Sequence, residues 1–497
     1  MNTKLSAQLF NVTAGIVLIL SACGGGDSGS KIGGIDGSGA PVTAGTISVG
    51  AINGFGSVIV NGVRYNSDKA KILVNDQPAS EINLHAGYQV KITGTKNSNG
   101  VATADTIEFY PNLLGTLSQI DLAAQQFTVL GQSVQVNSAT LFDAAIKPNY
   151  LDGLKLGDNL LVSGFANDKG IITATRIELT TVIHHQVMGY VSNLNEANLS
   201  FSIKNLSINY SAASLNNFTN NQIASNNLVV VTGTLDSKGV LQAKTLVRIN
   251  NSLDKTVKTA ETEGFVTRYL SATDFDVAGI TWATSGQTSF ENGTNANLGL
   301  GVALSVSGEA NSAGQLIAQK IEFKKSPNNE IVGEVTAIST ISSTNIATGT
   351  LQISGTSIQT NNKTVFEDNG GAELKRFNFG NITIGDFLKV SGYNSQGNFI
   401  ATKIEREDIQ RENDNELKMS GLIISIDTHS FMLYGRSITT NSKTEINSNN
   451  GELLTETQFY LQAIGQRAKV EGILKNGIFT ALKIELESNK ENSLKPK

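Results

Sequence analysis

The chain has 497 residues, a formal net charge of −5, 16% charged and 39% hydrophobic residues. That balance fills cores without the charge density of a disordered chain. It also excludes the concentrated basic footprint with which proteins release counterions from nucleic acid, so no nucleic-acid partner is expected.

Residues 1–22 read as a signal peptide, with Lys4 in a short polar start, an apolar run from Val12 to Leu20, and Leu20-Ser21-Ala22 directly before Cys23. The run is too short to span a bilayer as a helix. Leu20-Ser21-Ala22-Cys23 resembles the bacterial lipobox, which implies cleavage before Cys23 and lipidation of that residue. Cys23 is the sole cysteine, so it leaves no disulfide and no thiol for catalysis. The resemblance implies a membrane partner through the N-terminal lipid and, because Gly24 rather than Asp follows the cysteine, the outer membrane of a bacterial cell envelope. Residues 23–44 are Gly- and Ser-rich and read as a flexible tether. Asp27 and Asp36 within it lack the regular acidic spacing of a calcium loop.

From Gly45 onward one pattern occurs six times. Each copy opens on a glycine-led alternating strand, at Gly45, Gly115, Gly189, Gly264, Gly333 and Gly421. A hydrophobic-x-hydrophobic-x-Gly turn follows, ending at Gly62, Gly131, Asn205, Gly279, Gly355 and Gly435. Asn for Gly points to a left-handed backbone position. Copies two, four, five and six then carry Thr-x-Phe or Thr-x-Ile, beginning at Thr140, Thr288, Thr364 and Thr444.

An insert of varying length comes next, and in copy six its segment GELLTETQFYLQAIG is a candidate short helix. A further glycine stands at Gly87, Gly157, Gly301, Gly385 and Gly465, with Asn226 in copy three. Each copy closes with a hairpin: a strand ending in Gly94, Gly164, Gly233, Gly308, Gly392 or Gly472, a turn glycine, and a strand with Ala-x-x-Ile or Ala-x-x-Leu. The prolines are placed between strands, Pro78 in a mid-repeat loop.

Five strands with an insert between the third and fourth is the order of an OB-type barrel. The expected fold is all-β, a tandem array of six small five-stranded OB-like β-barrels behind the signal peptide and tether. The repeats are placed at 45–110, 115–180, 189–250, 264–324, 333–406 and 421–487, with a charged linker at 407–420 and a disordered tail at 488–497. Short links predict a semi-rigid string of beads. The whole pattern resembles the bacterial family catalogued as DUF5666, whose members carry such copies behind a lipoprotein signal. That resemblance implies no known activity and no catalytic residues. Copies one and three depart most, lacking a clean Thr-x-Phe.

No catalytic motif stands out. His184-His185 is the one histidine pair, and adjacent residues on extended chain point to opposite faces, which does not suit a metal. Glu108, Glu178, Glu322, Glu405 and Glu485 follow the closing Ile and read as solvent-facing strand residues, one per barrel. Trp282 and the recurrent Phe127, Phe201, Phe275 and Phe431 read as core. The expectation is a lipid-anchored envelope protein with a structural, adhesive or ligand-binding role and an envelope glycan or protein as partner. It is not an enzyme, takes no cofactor or metal, and its ligand-binding residues are unassigned. The alternatives are an envelope enzyme with a site formed between repeats and an OB-type oligosaccharide or nucleic-acid binder.

Overall fold

A computed structural model describes residues 43–487 except 98–100, 123, 147–149, 182–183, 250–255, 328, 343–346, 354, 370–373, 375, 408–415, 434–435 and 476–477. The signal peptide, the lipobox Leu20-Ser21-Ala22, Cys23, nearly all of the tether and the tail lie outside the described residues. So does most of the charged linker.

The second repeat shows how each barrel closes. Its five main strands are Leu113–Asp121, Gln126–Val129, Gln132–Gln135, Asn159–Ala166 and Ile172–Leu179. The first three pair antiparallel in succession, the third pairs parallel with the fifth, and the fourth lies antiparallel to both the fifth and the first. That ring has no open edge, which is what a strand array this short needs to hide its backbone groups. A short extension of the third strand, Leu141–Phe142, runs parallel to the fifth. The other repeats close in the same order, the fourth joining its third and fifth strands by a single bridge between Ala283 and Ile317.

The repeated residues have backbone and core reasons. The alanines of the closing strand are at most 5% exposed, and the aliphatic residues three positions on are all 0% exposed. Each strand-ending glycine sits at a register shift, where a Cβ would fall 2.0–2.3 Å from a carbonyl oxygen of the last strand. Close approach, not φ, makes that position glycine. The glycine before the fourth strand is different, with φ of 76° to 96°, and Asn226 replaces it at φ 65°. The Thr of Thr-x-Phe donates its hydroxyl to the carbonyl of the closing alanine in four repeats, at 2.8 Å (Thr140 to Ala174), 2.6 Å (Thr288 to Ala318), 2.9 Å (Thr364 to Ala401) and 2.7 Å (Thr444 to Ala481). It locks the third strand's extension to the fifth strand. Ala70 and Ala213 occupy the place in repeats one and three, which therefore lack the lock.

Several expectations need correction. The leading glycine of repeat one is Gly50, not Gly45, because Gly50 pairs with Val90, four residues before Gly94, as Gly115 pairs with Leu160 before Gly164. The left-handed residue at the turn of repeat three is Lys204, at φ 49°. Pro78 lies in a short strand, Gln77–Ala79, which pairs with Lys71–Val74 on its own and leaves the proline at a sheet edge. First strands begin ahead of their leading glycines, at Val257, Asn329 and Glu416 in the last three repeats, so residues 416–420 belong to a strand and not to a linker.

The repeats are not strung as beads. The described residues fall in one compact unit, built from three sheets that join repeat one to four, two to three, and five to six. In the second and third of these joints the first strands pair antiparallel in one register: Leu113 faces Val187 and Ile331 faces Met419, each two residues before its leading glycine. The joint of repeats one and four is parallel, from Gly45 opposite Val257 to Val49 opposite Thr262. Repeats two and three share one hydrophobic core, while Ile47 and Val49 of repeat one complete the core of repeat four.

Candidate binding site

Burial disposes of the recurrent aromatics as a ligand platform. Phe127, Phe201, Phe275 and Phe431 are at most 2% exposed, and Trp282 is fully buried with its indole N–H donating to Thr262 Oγ1 at 3.0 Å. His184 is exposed, and His185 lies in a strand opposite Gly233. Among the described residues no group of three or more His, Cys, Asp or Glu is arranged to hold a metal ion. No helix among them is long and apolar enough to cross a membrane.

Two of the closing glutamates depart from the expectation that they face solvent, whereas Glu108 and Glu485 keep side chains 30% and 44% exposed. Glu178 and Glu405 are 7% and 0% exposed, because a face that points out of one barrel points into the next. Glu178 takes the Tyr88 hydroxyl at 2.6 Å and lies 2.5 Å from His85 Nδ1, both from repeat one, and pairs with Arg176 beside it. Arg176 also reaches Glu367 of repeat five at 2.8 Å and the Ala86 carbonyl of repeat one at 3.2 Å. Burial alone would raise the Glu178 pKa; the His85 hydrogen bond and the Arg176 charge outweigh it and hold it at about 2. Glu405 lies 2.9 Å from both Lys389 and Lys403, and Lys403 donates to the Thr140 carbonyl of repeat two at 2.9 Å. Two buried charge clusters therefore fasten repeats one, two and five together. They are structural seams.

A cleft of about 170 Å³ opens between repeats one and five, lined by Asn53, Phe55, Arg64, Asn362, Phe366 and Asn378 among others. It is narrow, and its amides are already engaged: Asn53 Oδ1 accepts from Gly62 N at 3.1 Å, and Asn362 Nδ2 donates to Gly62 O at 2.9 Å.

The larger cavity, of about 300 Å³, belongs to repeat six. Its walls are the turn between the first and second strands, Asp427 to His429, and the helix Glu456–Gln462 of the insert. The helix forms where the sequence suggested one. Thr455 caps it by accepting from Gln458 N at 3.2 Å, and Gln458 Oε1 accepts the Thr455 N–H at 2.8 Å, a reciprocal capping box. Phe459 drives the helix into the barrel, fully buried and edge-on to Phe431 with ring centroids 5.3 Å apart.

That anchoring turns Glu456 and Tyr460 toward the turn. There His429, at φ 61°, places Nδ1 2.9 Å from Glu456 Oε1. Thr440 donates to Glu456 as well, and its hydroxyl lies 2.8 Å from the Tyr460 hydroxyl. The Thr440 hydrogen bond, then that of His429, hold the Glu456 carboxyl below its usual range. Burial raises the Tyr460 phenol. The result is a pre-ordered row of imidazole, carboxylate, hydroxyl and phenol beside Asp427, with Leu461 82% exposed on the same helix. Such a row accepts and donates hydrogen bonds to a polar ligand. Glu456 and Tyr460 carried no sequence motif, and their signal was the helical insert that distinguishes this copy.

Five segments of the chain, residues 44–108, 115–178, 263–322, 332–405 and 420–485, match the family described as Domain of unknown function (DUF5666). The third repeat falls between the matched segments, in keeping with its Asn205, Asn226 and Val247. Comparison with curated proteins returned no match. Among solved structures, drosophila Unr CSD456 is similar at 12% identity over 46% of this chain and 99% of that one, with a TM-score of 0.13.

Proposed function

This chain belongs to the DUF5666 family, and we propose that it is a lipid-anchored ligand-binding protein of the bacterial cell envelope, which binds an envelope saccharide in the cavity of its sixth repeat. The observation that carries the reading is that His429, Glu456 and Tyr460 line a cavity of about 300 Å³, the lower end of the usual size for small-molecule sites, with the buried Thr440 hydroxyl bonded to both Glu456 and Tyr460. Carboxylates accept from sugar hydroxyls, and the phenol ring and Leu461 offer apolar surface to a sugar face. The other five barrels form the body that carries this site.

Anchoring rests on Leu20-Ser21-Ala22-Cys23 and the tether that follows. The binding test is retention of the chain on arrays of peptidoglycan fragments and envelope oligosaccharides, followed by calorimetry on the retained ligand. Binding that weakens about tenfold in both Glu456→Gln and Tyr460→Ala supports the reading. Retention unchanged in both variants, or hydrolytic turnover of a retained glycan, contradicts it.

A further inference from the structure

Four repeats carry a cation, an isoleucine and a glutamate in succession on the last strand, always two residues beyond the closing alanine: Arg176-Ile177-Glu178, Lys320-Ile321-Glu322, Lys403-Ile404-Glu405 and Lys483-Ile484-Glu485. The isoleucine fills the barrel, so the charges stand on its outer face. In three of the four, another repeat reaches that face with a residue of its Thr-x-Phe segment or one flanking it, and His85 to Tyr88 of repeat one also cover the face of repeat two.

Arg176 of repeat two reaches Glu367, three residues after Thr364 of repeat five, at 2.8 Å. Lys403 of repeat five reaches the carbonyl of Thr140 of repeat two at 2.9 Å. Each barrel thus lends its cation to the other's Thr-x-Phe segment, the reciprocity of a two-fold contact. Glu322 of repeat four takes Lys363, which precedes Thr364 of repeat five.

Repeat six has both halves of this contact and leaves both open. Lys483 and Glu485 pair with each other at 2.6 Å, their side chains 39% and 44% exposed. Leu482 between the alanine and the lysine is 41% exposed. On the other half, Thr444 is half-buried and Glu445 exposed, whereas Thr140 and Thr364 are 1% and 3% exposed under their partners. The face is self-complementary in charge: a lysine at one edge and an exposed glutamate, Glu445, at the other.

We propose that this face is the contact through which two copies of the chain dimerise, repeat six against repeat six, in the reciprocal manner of repeats two and five. Lys483 of one copy lies against Thr444 to Asn447 of the second, and the two Leu482 side chains are covered between them. Such a dimer places two anchors and two cavities on one particle, which strengthens attachment to a surface that presents repeated ligands.

The test uses the mature full-length chain with Cys23→Ser, so that neither lipid nor the native thiol interferes. Light scattering coupled to size exclusion gives a concentration-dependent dimer, and Lys483→Glu raises its dissociation constant about tenfold or more. Far-ultraviolet circular dichroism of that variant stays as in the parent, since the half-buried Lys483 stands on the outer face of its barrel and not in the core. Mixing one chain carrying Lys483→Cys with another carrying Asn447→Cys gives a disulfide-linked pair on a non-reducing gel. A chain that stays monomeric at its highest soluble concentration, a dimer indifferent to Lys483→Glu, or mixed single-cysteine chains that fail to cross-link each overturn the proposal.

Discussion

Glu178→Gln tests the buried seam between repeats one, two and five. Glutamine keeps the shape and one acceptor oxygen but removes the charge that faces Arg176 and His85. The folded carboxyl titrates at about 2 instead of its ordinary 4.5, a difference worth roughly 3 kcal/mol. Removing one partner of a buried pair costs about 3–5 kcal/mol. Arg176 keeps Glu367, so the lower figure applies. The sign follows from the direction of the shift. A carboxylate held below its unfolded pKa stabilises fully above the unfolded value, and that contribution is lost as pH falls through the folded one. Urea unfolding followed by circular dichroism should therefore show the variant about 3 kcal/mol less stable at pH 7, with the gap closing between pH 4.5 and about pH 2. A gap under about 0.5 kcal/mol at pH 7, or one that does not change with pH, refutes the assignment of Glu178 as the charged centre of the seam.

Other substitutions check the repeat itself. Thr140→Val deletes the hydroxyl that accepts from Asn137 N and donates to Ala174 O, and should cost about 1–3 kcal/mol in the same unfolding assay. Gly164→Ala puts a Cβ 2.3 Å from the Thr173 carbonyl and should cost about 1–3 kcal/mol, whereas Asn226→Gly, at φ 65°, should change stability by only a few tenths. Trp282 emission should be blue-shifted and poorly quenched by acrylamide, as its side chain is fully buried; ready quenching would contradict the closed fourth barrel. Cys23→Ser should move the protein from the membrane fraction to the soluble one, and firm membrane association in that variant would refute lipid anchoring.

Much of the fold was legible in the chain because the repeat samples one problem six times. Glycines and Asn226 recur where backbones crowd or φ is positive, and the Ala-x-x-Ile residues recur where a barrel must be filled. The helix in the sixth insert was legible too, though not the cavity it walls. What escaped were features with no local code. Gly45 and Gly50 each lead an alternating stretch, and only the strand opposite chooses between them. The joints between repeats are main-chain pairings of first strands, and the side chains that pack across them follow no pattern of their own in the repeat. Glu178 and Glu405 alternate outward from their barrels, and alternation does not tell solvent from a neighbouring barrel. His429 and Glu456, 27 residues apart, meet only because Phe459 pulls the helix inward.

The packing of six barrels as one paired body is tested most directly by small-angle X-ray scattering of the mature Cys23→Ser chain, on the monomer fraction. A compact body of this length has a radius of gyration of about 22–25 Å, and the paired arrangement predicts a value in that range, raised slightly by the tether. A radius of about 40–50 Å, that of six small barrels in a line, would contradict it.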